Sequence, residues 1–514
     1  MELQFNKGDV AFLHRAVDQA QTQEQTQEIR IGDGMPEIGR VLGCWGQVMI
    51  RGKEWRGNGI SIQGGVKLCV LYAPEEGNSY QSVEAWLPFQ MKWDLKEDLQ
   101  DGTILVQPML KSADARVVSS RKLMVRANIS CGLQAYSPSH KEVYSPVQVP
   151  EDVCLLRRSY PVMLPKEAGE KLMQLDDELP LQKNAEKPWK LHGCWLIPSI
   201  TEQRVMTDKL IFRGKGKLCM ICSCEEGKPE FLEQEISFSQ YAQLNEQISA
   251  NAMIRSVPIL SNLELEPGEG KLYIKAGIVM QYLIYDRQML ELVEDAYSPR
   301  RSVKVQLQPL VIPSLLDSVT ETVRQKQNMQ ADQPQLLRCD WRGEFPSCAN
   351  HNDTLNLEQE GQMHFLYADA EGQLQGAAQR GKLQWQLPSF SDNHTLVYLQ
   401  APEVECYSDH EGLAADISLT YSADTVSTGM MDMVSALELG ECAEPDPMRP
   451  SLVVKRSGAD SIWSLAKACG STVEAILEAN GLTDVTIDNT YAQPADLNTA
   501  VASGEVSIAV LPEP

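Results

Sequence analysis

The feature that most restricts the fold is that the chain repeats itself. The stretch from Gly65 to Gly77, Gly-Val-Lys-Leu-Cys-Val-Leu-Tyr-Ala-Pro-Glu-Glu-Gly, returns from Gly216 to Gly227 and from Gly361 to Gly372, a period of about 150 residues. Leu68, Leu218 and Met363 share one position; Cys44, Cys194 and Cys339 share another, within Gly43-Cys-Trp45, Gly193-Cys-Trp195 and the looser Cys339-Asp-Trp341. Downstream, Leu87-Pro-Phe89 answers Ile236-Ser-Phe238, and the run Leu123 to Ile129 answers Leu272 to Ile278 and Leu413 to Ile417. Each of the first two copies closes on an acid, a tyrosine and Ser-Pro, at Glu142 to Pro146 and Asp295 to Pro299. A chain of 514 residues built this way is an array of modules and not one large core.

Within a copy the apolar residues alternate, as at Leu272, Ile274, Ala276 and Ile278, between turns rich in Gly, Pro and Glu-Gly. That period of two predicts strands, and several short strands per copy predict a sandwich or barrel. Residues 166–175, 314–329 and 8–28 have helical composition instead and read as connectors, the second entered by a Pro313-Ser314 cap. The expected fold is mainly β: three tandem β-sandwich-like repeat domains with helical connectors, then a small βααβ domain. The expected boundaries are a helical segment 1–26, repeat 27–150, connector 151–186, repeat 187–312, connector 313–332, a divergent repeat 333–440, a linker 441–450 and a last domain 451–514. The linker holds Pro445, Pro447 and Pro450, which exclude a helix there. Exposed sheet edges and a tethered terminal module would suit multivalent binding.

Composition narrows the partners. With 46 basic and 70 acidic residues the net charge is −24, so nucleic acid and anionic membrane surfaces are repelled. The longest apolar runs are short and broken, as by Pro313, and no segment is long enough to span a bilayer. The first residues carry acid early and lack an apolar core of the secretory kind, so the expected location is cytoplasmic. The 13 cysteines are odd in number and scattered, and are expected as free buried thiols.

The terminal segment carries the most specific pattern. Val453-Val-Lys predicts a strand, Asp460-Ser461 caps a helix 462–468, Gly470-Ser-Thr precedes a helix 473–479, Asn480-Gly481 ends it, and 506–511 returns as a strand. Asp460-Ser-Ile-Trp-Ser-Leu-Ala-Lys followed by Ser471-Thr-Val-Glu-Ala-Ile-Leu-Glu-Ala-Asn-Gly-Leu482 resembles the LysM domain. That resemblance implies a groove for N-acetylglucosamine chains formed by two loops, here Asp460, Ser461, Ile462 and Trp463 with Asn480, Gly481 and Leu482. Ala459 stands where the family has Gly, and the stretch from Leu482 to Gly504 is longer than the usual second loop. Trp463 lies beside an inward stripe of Ile462, Leu465 and Ala466, and either completes a small core or meets a partner.

The repeats, in turn, resemble the spore-coat-associated SPOCS domain, several copies of which precede one LysM domain in clostridial spore-coat assembly proteins. The resemblance rests on Val66 to Tyr72, Leu87 to Phe89 and the closing run Glu291 to Pro299, and is weakest in the third copy. It implies a non-enzymatic scaffold for coat and cortex assembly in the sporulating mother cell, held at the forespore surface by the coat's basal-layer ATPase, with other coat proteins or peptidoglycan as further partners. In that setting the LysM domain would dock protein in place of sugar.

The remaining residue sets have structural readings. Cys219 and Cys222 fall on strand positions filled interchangeably between copies and face opposite ways, so they cannot easily share a metal. Cys339, Cys348, His351 and His364 have loose finger-like spacing, but Cys339 and His364 are ordinary repeat positions. Gly268-Glu-Gly-Lys271 lacks the rest of a phosphate loop and reads as a hairpin. None of the seven histidines sits in a nucleophile–base context. No catalytic residue, metal or cofactor is expected.

Overall fold

The computed structural model describes residues 2–76, 80–96, 99, 102–180, 189–224, 230–268, 271–331, 334–388, 393–409, 412–442, 453–456, 461–479 and 507–510. The first unit runs β1 (Phe5–Arg30), β2 (Ile38–Arg56), β3 (Gly59–Pro74), β4 (Gln81–Asp94), β5 (Thr103–Ser119) and β6 (Lys122–Pro146). The second runs β7 (Cys154–Pro180), β8 (Trp189–Met206), β9 (Lys209–Cys224), β10 (Glu230–Gln243), β11 (Met253–Pro267) and β12 (Lys271–Tyr297). Each is two antiparallel three-stranded sheets, β2-β3-β4 over β1-β6-β5 and β8-β9-β10 over β7-β12-β11. The inner faces close on one core apiece: Ile62, Leu68, Phe89 and Val125 in the first unit, Phe212, Leu218, Phe238 and Ile274 in the second. Gly268 N–H donates to the Lys271 carbonyl at 2.8 Å, across the turn between β11 and β12.

The third unit is the same plan cut into shorter pieces: β13 (Arg301–Val311), β14 (Ser314–Met329), β15 (Gln335–Gly343), β16 (Ser347–His351), β17 (Thr354–Ala368), β18 (Leu374–Pro388), β19 (Asn393–Leu399), β20 (Glu403–Asp409), β21 (Gly412–Ser427) and β22 (Met430–Cys442). β14 and β21 do the work of β1 and β6, and β13 with β22 continues them as a separate two-stranded sheet. The break falls at Pro313, which has no N–H for a ladder.

The three expected helical stretches are strands. Residues 8–28 lie in β1, 166–175 in β7 and 314–329 in β14, so there are no helical connectors. Lys, Glu, Ala, Gln and Leu favour helix in isolation by only tenths of a kcal/mol per residue. Each stretch instead finds a long apolar strand already waiting: β1 pairs with β6 from Phe5↔Pro146 to Arg30↔Lys122, and β7 with β12 from Cys154↔Tyr297 to Pro180↔Lys271. Tertiary pairing outweighs such a weak intrinsic preference. The three strands are bulged at one equivalent place, at Ala16, Lys166 and Leu316, opposite Tyr136, Tyr285 and Val426. A bulge bends its strand and increases its twist. Beyond each bulge the strand leaves its sandwich, and the three ribbons pack on one another through Phe12, Leu164, Leu292, Leu310 and Met433.

The units accordingly close into a ring and do not form an open array. β4 packs on β8, β10 on β15 and β18 on β2, so the outer strand of each first sheet meets the next unit instead of solvent. Leu71, Ile221 and Leu366, three equivalent residues, share one buried cluster. Side-chain amides complete the exposed strand backbones across the junctions: Gln47 Oε1 accepts from Leu196 N–H at 2.9 Å, and Gln107 Oε1 from Leu399 N–H at 3.0 Å. Lys111 pairs with Glu344 at 2.7 Å, and Trp45 Nε1 donates to Asp340 at 3.1 Å.

Two expectations from the repeat alignment change. Trp341 is not the counterpart of Trp45: Trp45 pairs with Cys69, whose equivalent His364 pairs with Asp340, and Trp341 lies one position further on. Asp340 takes the place of Trp45 and Trp341 that of Gly46, so the indole faces inward, where Trp341 Nε1 donates to the buried Gln359 at 3.0 Å. Nor are all the cysteines free, because Cys339 and Cys406 form a disulfide between the two sheets of the third unit. Cys44 and Cys194 at the equivalent place lie in apolar cores whose margins include Ala115 and Leu265, so only the third unit brings a second sulfur there.

Burial at a junction also sets a pH response. His192 is 1% exposed between Ser82 and Ser223 hydroxyls, 3.2 and 2.6 Å from its ring nitrogens. Burial, with a smaller contribution from Lys190, lowers its pKa from 6.5 to about 4. The unfolded chain therefore takes up a proton before the folded one does. The neutral ring's contribution is complete above pH 6.5 and is lost as pH falls towards 4, a loss of about 3 kcal/mol from this shift. Urea unfolding at pH 7 and 4.5 is expected to show that loss, and His192→Gln should flatten the difference; an equally steep variant would refute the assignment.

Candidate functional site

The terminal module contains β23 (Val453–Arg456), α1 (Ile462–Cys469), α2 (Val473–Ala479) and β24 (Ser507–Val510), with the two strands antiparallel. Ser461 caps α1, accepting from Ser464 N–H at 3.1 Å, and Gly470 ends it with φ 65°. The left-handed backbone there is one that glycine adopts without a Cβ clash. Thr472 Oγ1 accepts from Ala475 N–H at 3.1 Å and opens α2. Ile462, Leu465, Ala466 and Ile476 form the buried stripe, as the helical spacing predicts.

Of the seven expected groove residues, Ser461, Ile462 and Trp463 are described; Asp460, Asn480, Gly481 and Leu482 lie outside the described residues, as does the proline linker from 443 to 450. Ser461 is engaged in capping and Ile462 is core. Trp463 does something the sequence left open: it leaves its own module and packs on the second unit. Its ring meets Tyr297 edge-on, with centroids 4.7 Å apart at 74°. Its Nε1 donates to Asp295 Oδ2 at 2.8 Å. Lys467, one turn along α1, donates to both oxygens of the same carboxylate at 2.7 Å. The Tyr297 hydroxyl donates to the Ser471 carbonyl at 2.8 Å, which meets a polar group in the turn between the helices.

Asp295, Tyr297 and Lys467 were not singled out from the sequence as contact residues, although the recurrent closing motif contains the first two. The first copy shows what that motif does when left to itself. Glu142 takes Lys7 at 3.0 Å and the Tyr144 hydroxyl at 2.6 Å, and Lys7 Nζ sits 5.4 Å from the Tyr144 ring centroid. In the second copy the residue paired with Asp295 on β7 is Leu156. The place of Lys7, opposite the tyrosine, is taken by Cys154 opposite Tyr297, and α1 supplies the cation to Asp295 through Lys467.

On strand β9 the described cysteines Cys219 and Cys222 point to opposite faces of the sheet. Cys222 packs in the second unit's core, while Cys219 lies buried on the opposite face of the sheet, with its Sγ 3.8 Å from Glu233, and burial raises its pKa to about 11. In the third unit the Cys339 sulfur is committed to Cys406. Among the described residues no helix is long and apolar enough to cross a membrane.

The LysM domain family matches residues 459–488, which span both helices. No curated protein and no solved structure matches the chain.

Proposed function

We propose that this protein binds glycan of the peptidoglycan type, an N-acetylglucosamine chain, through a LysM module carried on a closed three-unit β body that performs no catalysis itself. The observation that supports the reading is the LysM match over the capped helix pair. In this reading Asp460, Ser461 and Trp463 on one side, with Asn480, Gly481 and Leu482 on the other, border the sugar, Ile462 packs beneath them in the core, and the body fixes where the module is held. Co-sedimentation of the purified full-length chain with peptidoglycan sacculi at neutral pH tests it. The chain is expected to pellet with the wall, and a chain ending at Pro447 is expected to stay in solution. Full-length protein that remains in the supernatant would sink the glycan reading.

A second reading has its own support. The α1 face already recognises protein, namely a carboxylate and a tyrosine on β12. A module able to do this could equally dock a partner protein, as in the spore-envelope scaffold that the SPOCS resemblance implies, where the partner is the coat ATPase at the forespore surface of the mother cell. A fluorescent fusion in sporulating cells discriminates the two: a forespore ring that becomes diffuse on truncation at Pro447, in a protein that ignores sacculi, would favour docking.

A further inference from the structure

We infer that Asp295 and Tyr297 form a latch over the LysM module, which alternates between a closed state with Trp463 covered by β12 and an open state in which that indole is free for ligand. The inference rests on the glycan reading for the nature of the ligand, but the latch itself rests on geometry. Trp463 stays at the margin of the packing around Ile462, Leu465, Ala466 and Tyr297, which are 5%, 2%, 0% and 5% exposed: the indole is only half-buried even with Tyr297 against it. An aromatic ring beside a helix N-terminus and left outside its own core is the kind of surface that binds ligands. Here the chain's own tyrosine and carboxylate occupy it.

The closing contacts are few and partly wet. Lys467 and Asp295 are 44% and 26% exposed, so their attraction is weak and screened by salt. Among the described residues the apolar part of the contact is Tyr297 and Cys154 of the second unit against the helix pair. Cys154 stands opposite Tyr297 where Lys7 stands opposite Tyr144 in the first copy, and the cation that bonds both oxygens of Asp295 is Lys467 of α1. A ligand that needs Trp463 must compete with Tyr297, and its apparent affinity is reduced by the fraction of molecules that are open.

The test uses full-length protein and chitin hexasaccharide as the probe. Asp295→Ala with Tyr297→Ala opens the latch from the body, and Lys467→Ala weakens it from the module. Titration calorimetry reads affinity, and hydrogen exchange over residues 461–479 reads the latch directly. Both variants are expected to exchange faster in that segment and to bind the sugar more tightly, by about five- to tenfold for the double variant. Faster exchange with unchanged affinity would overturn the competition while leaving the glycan reading intact. Unchanged exchange would show that these residues do not hold the module, which overturns the latch. Absence of sugar binding by wild type and both variants would remove the glycan reading, and the inference with it.

Discussion

Asp424→Ala is expected to lower the unfolding free energy by about 3–5 kcal/mol, because it leaves an arginine buried without its counter-ion. Asp424 is fully buried on β21, and Arg255 reaches it from β11 of the second unit with two near-parallel bonds, Nε to Oδ2 at 2.8 Å and Nη2 to Oδ1 at 2.6 Å. The guanidinium also donates to Ser318 on β14 and lies 5.7 Å from the Tyr398 ring centroid, so both its charge and its plane are matched. A pair of this kind stabilises little relative to an apolar replacement, yet costs a great deal when halved. The double replacement Arg255→Leu with Asp424→Leu should therefore recover most of the loss. Equilibrium denaturation of the two variants checks both statements. A single variant within about 1 kcal/mol of wild type would mean the junction does not depend on this pair.

How much of this was legible beforehand follows from the range over which each signal acts. Alternation at Leu272, Ile274, Ala276 and Ile278 is local, and the strand was readable from it; the four are fully buried on β12. The helix pair was readable too, because Ser461, Gly470 and Thr472 cap it through bonds spanning four residues or fewer. The strands β1, β7 and β14 were misread as helices because what makes them strands lies up to about 140 residues away, in β6, β12 and β21. Trp341 was misplaced because Asp340 reads as an insertion before it, whereas Asp340 holds the register of Trp45 and Trp341 that of Gly46, and successive residues on a strand face opposite sides. Ring closure left a trace only in retrospect. Gln47, Gln107 and Gln281 look like ordinary polar strand residues, and nothing local tells that their amides complete another unit's backbone. For the site, the residues of the module were legible by family pattern, while Asp295 and Tyr297 were visible as a recurrent motif with no stated use.

Gln281→Leu is expected to cost a comparable amount, about 3–5 kcal/mol, through the junction of the first two units. Its amide is fully buried; Oε1 accepts from Val106 N–H at 2.9 Å and from Lys53 Nζ at 2.9 Å, and Nε2 donates to the Val106 carbonyl at 2.8 Å. Leucine has nearly the same volume, so the packing loss is small. What remains is a buried N–H and a buried carbonyl on β5 without partners, each costing about 1–3 kcal/mol. Lys53 suffers as well, since burial already lowers its pKa and only Glu170 and the Ile104 carbonyl would be left to hold its ammonium. Gln281→Glu separates these effects: a carboxylate satisfies Lys53 and Val106 N–H but cannot donate to the Val106 carbonyl, so it should recover part of the stability and no more. If leucine proves neutral in denaturant, the amide does not bridge the units. The equivalent residues show why the effect should be confined to this junction. Gly132 stands at this position in the first unit, where a Cβ would meet the Phe345 ring at 2.6 Å, and Ser422 stands there in the third, paired to Thr320 at 2.8 Å. One position in the repeat thus carries an amide, a bare backbone and a hydroxyl. Two copies use this position against another unit, Gln281 on Val106 and Gly132 beneath Phe345, while Ser422 bonds within its own unit, so the amide's loss is felt at one junction alone.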